Sequence, residues 1–316
     1  MTGRPGVAVT VVVVTFNGAH LLRPCLESLA AQTVPHEVVV VDNASQDHTP
    51  QVLADFPDVQ VVWLERNTGF AGGAQTGLEC ATTEFVAFLN NDATAEPGWL
   101  AALVQPLLQD PTVAGSTSRI LLTADGRINN AGGAMTRWGA GYDRGYGEPD
   151  GPPFDEPTDV GFLCGGGCLV RTGTARTVGG FPVEFFLYYE DTDLSWRLGL
   201  AGHRIRYTPG AVVHHLHSAS SDQSSVLFAF HNQRNQLLTL VRNAPPGLVL
   251  VATARFLAIT VLRMIRPGDG HSQRATHRWR VLVAVGRMLP GALAARRRAG
   301  RLAVVPRRAF RRRWVG

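Results

Sequence analysis

Over roughly the first 90 residues, short β-branched apolar runs alternate with stretches in which apolar side chains recur every three to four positions. Residues 7–15 form a run of strand length. Leu22, Leu26, Leu29 and Ala30 follow at the spacing of one helical face. A second strand over 37–41 ends in Asp42-Asn43-Ala44-Ser45-Gln46-Asp47, a polar cluster suited to turn the chain and cap a helix through Ala54-Asp55-Phe56. Residues 59–64 make a third strand, and its exit, Asn67-Thr68-Gly69-Phe70-Ala71-Gly72-Gly73, opens a small-residue helix reaching Ala81. Residues 84–89 make the fourth. Strands alternating with helices predict an α/β fold with a mostly parallel central sheet and right-handed crossovers.

In such a sheet the carboxyl ends of the strands form the ligand-binding edge. Here each end is polar or glycine-rich: Thr15 and Asn17 follow the first strand, Asp42 the second, Asn67 and Gly69 the third, and Asn90-Asn91-Asp92 the fourth. A lone carboxylate beside short polar side chains suits a hard divalent cation that also holds substrate phosphates, although Asp92 could equally cap the helix near Pro97-Gly98-Trp99. Asp42 could accept hydrogen bonds from a base or ribose, or cap its own helix. Phe16-Asn17-Gly18 stands where a dinucleotide fingerprint would need G-x-G-x-x-G, which disfavours nicotinamide and flavin dinucleotides.

The second half is less regular. Residues 121–157 are rich in Gly, Pro and Asp with little periodicity, as expected of a long functional strap or of an ordinary surface excursion. Residues 160–170 read as one strand broken by glycines. Glu190-Asp191-Thr192-Asp193 then opens an amphipathic helix, in whose first turn the macrodipole favours an ionised Asp191 and the acids could serve as caps. His214, His215 and His217 close a later apolar run; a zinc site combining two of them with Cys164 and Cys168 is a rival reading on a loose spacing.

Charge divides the chain. The net charge is +5, yet from His271 onward there are thirteen arginines and no acid, so residues 1–270 carry 5 − 13 = −8. Residues 248–265 are apolar but contain Arg255 and Arg263; with Arg266 these fall in one arc, which predicts an amphipathic helix lying in a membrane interface. The arginines beyond, together with a second apolar patch over 279–289, suit an anionic leaflet. Four cysteines without a secreted disulfide spacing, and an apolar start that lacks a signal-peptide layout, predict a cytoplasmic protein peripheral at the inner face of the plasma membrane.

The successive segments Val14-Thr15-Phe16-Asn17, Val41-Asp42-Asn43-Ala44-Ser45, Asn67 to Gly73, and Leu89-Asn90-Asn91-Asp92 resemble the signatures of family-2 inverting glycosyltransferases with the GT-A fold, especially the bacterial rhamnosyltransferase-like branch. The resemblance implies that Thr15, Asn17, Asp42, Asn67, Gly69, Asn91 and Asp92 bind a nucleotide sugar, with Asp42 at the base. It also implies that Asp92 is the metal-binding end of a D-x-D motif whose first position is here Asn90. Glu190-Asp191-x-Asp193-Leu194 resembles the family's acidic motif, which makes Asp191 the catalytic base and Glu190 the adjoining catalytic candidate. His215 takes the place of a further metal ligand, with His214 the alternative. Implied with these are Mg²⁺ or Mn²⁺, an NDP-sugar donor, inversion, and a lipid-linked or polysaccharide acceptor in cell-envelope synthesis. The expected layout is a catalytic domain over 1–240 and a basic helical membrane-association region over 241–316. A sugar-phosphate nucleotidyltransferase would need a lysine-bearing phosphate loop, and the chain contains no lysine. Nucleic acid is an unlikely partner for the tail.

Overall fold

The computed structural model describes residues 9–216, 225–265 and 271–315; Arg266 and His217 lie outside them. The chain runs β1 (Val9–Thr15), α1 (Ala19–Ala30), β2 (His36–Asp42), α2 (Thr49–Ala54), β3 (Gln60–Trp63), α3 (Gly69–Cys80), β4 (Phe85–Asn90), β5 (Ala93–Ala95), α4 (Trp99–Gln109) and β6 (Val113–Leu122). It continues through β7 (Ile128–Asn130), β8 (Gly133–Met135), β9 (Gly141–Asp143), β10 (Thr158–Val160), β11 (Gly167–Arg171), α5 (Thr172–Thr177), α6 (Glu190–Leu200) and β12 (Arg204–His215). Four helices close it: α7 (Val226–Asn243), α8 (Pro246–Ile265), α9 (His271–Leu302) and α10 (Arg307–Trp314).

The sheet order is β10-β12-β6-β11-β4-β1-β2-β3. β3, β2, β1 and β4 are parallel, β11 runs antiparallel between β4 and β6, and β6 and β12 are again parallel. Successive strand residues point to opposite faces, so one strand feeds two cores. Val12, Val14 and Phe88 pack with Ala74 and Leu78 of α3, whereas Val11, Val13 and Leu89 pack with Leu22 and Leu26 of α1 and Leu100 of α4. Each large apolar side chain buried this way contributes roughly 1.5–3 kcal/mol. Gly77 lets α3 lie close to β1: a Cβ there would stand 2.2 Å from Val12 Cγ1.

Three expectations change. The stretch 160–170 is two strands, β10 pairing with β12 and β11 with β4 and β6, because glycines 161 and 165–167 let the chain leave one strand position and enter another. The strap 121–157 is partly ordered by β7 and by the β8–β9 hairpin. The two described arginines of α8 differ in exposure, Arg255 being exposed and Arg263 half-buried. Arg255 stacks on Trp138 at 4.8 Å, and Arg263 lies on the half-buried side shared with Phe256 and Thr260. Aromatic contact and an apolar stem let a guanidinium sit there.

The outward arc of α8 is instead apolar: Leu250 (71% exposed), Val251, Leu257, Val261, Leu262, Met264 and Ile265 (70%). The division expected at 240/241 falls inside α7, and α10 packs back on the α/β body, its Phe310 stacking on Trp196 at 5.6 Å beside Phe162 and Leu240.

Candidate active site

The polar strand ends are tied to one another by side chains. Asn91 Nδ2 donates to Thr15 Oγ1 (3.0 Å), joining β4 to β1. Asn43 Oδ1 accepts from Thr68 N and Thr68 Oγ1, and its Nδ2 donates to Gly69 O (3.0 Å), fixing the entry to α3. Gly69 N donates in turn to Asn67 Oδ1 (2.8 Å). Gly69 has φ +71, and an added Cβ would lie 2.1 Å from Phe186 O, so glycine is required on two grounds.

These ends line a cavity of about 290 Å³ with Cys164, Gly165, Gly166 and Phe186 to Tyr188. Of the residues singled out from sequence, Thr15, Asn67, Gly69, Asn91, Glu190 and Asp191 line it. Asn17, Asp42, Asp92 and His215 stand beside it. Asn17 (φ +49) accepts from Gln46 N, and Asp42 accepts from Ser45 N (3.0 Å). Both shape the turn after β2. Asp42 caps no helix, since α2 starts later, at Thr49.

Helix α6 is approached through strained backbone. Phe186 (φ 67, ψ −63) and the bond from Leu187 N to Phe185 O (2.8 Å) form a positive-φ γ-turn, and Tyr188 and Tyr189 both have φ 69. Each such bulky residue costs on the order of 1–3 kcal/mol, a strain that other contacts must hold. Asp191 follows in the first turn of α6, half-buried, its Oδ2 accepting from Gly165 N (2.9 Å) and its Oδ1 from Thr192 N (2.6 Å). Burial raises its pKa despite these bonds. Glu190 is raised further, by burial and then by Asp191, and its Oε2 has no hydrogen-bond partner among the described residues.

Asp193 is no cap. It is fully buried and accepts from Arg197 Nε (2.8 Å), Arg242 Nε (2.8 Å) and Asn243 Nδ2 (2.7 Å), joining α6 to α7. Burial alone would raise its pKa, but Arg242 and Arg197 hold it below the ordinary value. Its contribution to stability is therefore complete above the unfolded value near 3.9 and is lost as pH falls through the lower folded value. Asp193→Ala leaves the buried Arg197 without a carboxylate and Arg242 with Glu184 alone, and we expect it to cost about 3–5 kcal/mol in chemical denaturation. A loss under about 1 kcal/mol, the scale of an exposed pair, would show that α6 and α7 do not depend on it.

Asp92 Oδ1 lies 3.0 Å from His215 Nε2, across β4 and β12, with β5 and not a helix following. His215 Nδ1 meets Asn129 Oδ1 at 2.9 Å, and Asn90 Nδ2 stands 3.4 Å from Nε2. With Nδ1–H given to Asn129, the Nε2 lone pair faces a carboxylate oxygen, an arrangement that a cation between them stabilises. One carboxylate and one imidazole, with further positions left to substrate phosphates and water, fit Mg²⁺ or Mn²⁺. His214 turns outward to Glu96 Oε1 (3.3 Å). Among the described residues no group of three His, Cys, Asp or Glu could hold a metal, which removes the zinc reading; Cys168 is a core residue of β11.

Several site residues carry no signal that local spacing could detect. Asn129 and Asp143 come from the strap, where no periodicity marks them. Asp143 accepts from Asn130 Nδ2 (2.6 Å); crowding by its neighbours and the charge of Asp191 push it up to about 6, against that hydrogen bond. Asn43 belongs to one of the polar strand-end motifs, and only its bonds to α3 reveal its part.

Residues 10–171 match glycosyl transferase family 2. The pre-mycofactocin glycosyltransferase of Mycobacterium tuberculosis is 36% identical over 267 residues, 83% of this chain and 54% of that protein, so the chain spans about half its length. The N-acetylglucosaminyl-diphospho-decaprenol L-rhamnosyltransferase of the same species is 32% identical over 250 residues, 70% of this chain and 80% of that one. Among solved structures, GalNAc-T7 with UDP, GalNAc and Mn²⁺ superposes with a TM-score of 0.64 at 17% identity, covering 88% of this chain and 55% of that one. The Pyrobaculum calidifontis mannosyltransferase in complex with GDP-Man and Mn²⁺ gives 0.54 at 20% identity, covering 93% and 86%. A carboxyl-edge cavity closed by an acidic helix start thus sits on a GT-A fold, and the chain belongs to glycosyl transferase family 2.

Proposed function

We propose that the protein transfers a sugar, with inversion, from an NDP-sugar to a hydroxyl of a lipid-linked or polysaccharide acceptor in cell-envelope synthesis. The observation that carries this is the convergence of the donor-side residues Thr15, Asn67, Gly69 and Asn91 with Asp191 on one cavity. The base of the nucleotide lies against the turn built by Asn17 and Asp42. Asp191 takes the proton of the acceptor hydroxyl as the new C–O bond forms and the bond to the diphosphate breaks on the opposite face. Bound at Asp92 and His215, Mg²⁺ or Mn²⁺ would offset the charge on the departing diphosphate. The mycobacterial rhamnosyltransferase relative supports rhamnose and a polyprenyl-diphosphate sugar as donor and acceptor to test first. Calorimetry with UDP-, GDP- and dTDP-sugars plus Mn²⁺, followed by NMR of the product anomer, tests the reading. Pyrophosphate release from a nucleoside triphosphate, or retention at the anomeric carbon, would overturn it.

The catalytic domain over 1–240 works, in this proposal, at the inner face of the plasma membrane, where 241–316 holds it. α8 is long and apolar enough by length and composition to cross a membrane. An interfacial position fits better, because one side packs on α9 through Arg278, which donates to Phe256 O and Thr260 Oγ1, while the apolar arc faces out. Trp279 and Val283 extend that arc, and Arg280, Arg287 and Arg298 lie exposed along one side of α9. Arg296, Arg307, Arg311 and Arg313 instead bond to the protein's own carbonyls and to Asp159, which weakens a nucleic-acid role for the tail. Truncation after Gly247 would strip Phe310 from Trp196, so point variants are the cleaner test.

Leu250→Glu with Val261→Glu should abolish flotation with both anionic and neutral liposomes. Replacing Arg280, Arg287 and Arg298 by Gln should weaken binding to anionic liposomes alone, by about a hundredfold at about 1 kcal/mol each. Unchanged flotation of the first variant would remove the lipid-facing assignment.

A further inference from the structure

Asn235 lies fully buried on α7, 47 residues beyond Tyr188 in the sequence. Its Nδ2 donates to three carbonyls of the strained turn: Phe185 O (3.0 Å), Leu187 O (2.7 Å) and Tyr188 O (2.8 Å). Its Oδ1 accepts from Arg234 Nε (2.9 Å), which orients the amide so that its hydrogens face those carbonyls. Arg234 adds its own bond to Phe185 O (2.7 Å). From the other side Ala71 N, in the first turn of α3, donates to Phe186 O (3.0 Å). The turn is held between the helix that opens at Gly69 and the helix that carries Asn235.

What the turn presents is functional. Phe186, Leu187 and Tyr188 wall the cavity, and Glu190 and Asp191 follow directly. Phe186 stacks on His231 (5.3 Å) and Tyr188 meets Phe228 edge-on (4.8 Å), so the side chains are seated on α7 as well. A γ-turn at a phenylalanine followed by two tyrosines with positive φ does not persist by local preference. From this geometry we infer that Asn235, oriented by Arg234, is a positioning residue: its N–H groups hold residues 185–189 in the strained form that shapes the donor cavity and aims Asp191. The inference rests on the proposed use of that cavity, but the hold itself can be measured without any ligand.

The experiment is hydrogen exchange followed by mass spectrometry on the full chain, comparing wild type, Asn235→Ala, Asn235→Asp and Arg234→Met. Asp fills the same space but turns an acceptor toward three carbonyls. Peptides covering 185–190 should exchange at least roughly tenfold faster in both Asn235 variants, with Asp no better than Ala, while β1 and β4 keep wild-type protection. Arg234→Met should accelerate the same peptides less, and it decides the matter by itself if the Asn235 variants do not fold. Wild-type exchange at 185–190, a wild-type-like Asn235→Asp, or equal acceleration throughout the chain would overturn the assignment. A second arm measures UDP, GDP and dTDP with Mn²⁺. A wild type that binds none of them rejects the donor reading, and the exchange result still decides the hold.

Discussion

Asp191→Asn keeps donor affinity and loses transfer by on the order of 10²–10⁴-fold, the usual contribution of a positioned general base. The amide fills the same space, although its single oxygen can accept from only one of Gly165 N and Thr192 N, and it cannot take a proton from the acceptor hydroxyl. Burial has raised the pKa of Asp191, and a base acts only when ionised. Activity should therefore fall as pH drops through that raised value, at higher pH than an exposed aspartate near 3.9 would allow. The substitution removes that limb of the profile together with the rate. Calorimetry with the donor separates the two readouts: equal donor affinity with lost turnover supports the base, whereas lost affinity makes Asp191 a binding residue. Near-normal turnover would pass the role to Glu190 or to Asp143, the two other acids whose pKa is raised here by crowding and by Asp191 itself.

The first ninety or so residues are legible because their physics is local. Valine runs such as Val9–Thr15 have one way to be buried on both faces, and polar strand ends then share an edge by topology alone. The second half is harder because its strands depend on distant partners. β11 is placed by β4 and β6, and β10 by β12, none of which is next to it in sequence, so the glycines between them look like interruptions of one strand. Charge misleads for a related reason. Arg255 and Arg263 make a polar arc on an isolated helix, yet Arg255 stacks on Trp138, Arg263 is half-buried on the side of Phe256 and Thr260, and the apolar side is left facing out. Asp193 looks like a cap because Arg242, 49 residues away, is invisible to local spacing. The acids and amides of the strand ends can be named from sequence; the bonds that order the site, made by Asn43, Asn129 and Asn235, go to partners at least 25 residues away and cannot be read from local spacing.

Asp92→Ala should abolish the metal-dependent part of donor binding while leaving the fold in place, since the residue lies just past β4 at the sheet edge and contributes no apolar packing. His215→Ala removes the second ligand and should act in the same direction but less, because the carboxylate carries the charge. Asn129→Leu is the sharper variant. It touches neither donor nor metal, but it releases His215 Nδ1, and partners of this kind typically set metal affinity by about 10- to 100-fold. His214→Ala is the control, since that imidazole faces Glu96 and should leave metal affinity unchanged. Titrating Mn²⁺ against each variant at fixed UDP, GDP or dTDP, with melting curves to confirm folding, measures the series. The expected order of loss is Asp92, then His215, then Asn129, with His214 at wild type. Equal metal affinity in wild type and Asp92→Ala would place the ion elsewhere, and a loss at His214 without one at His215 would show that the other imidazole turns toward the donor.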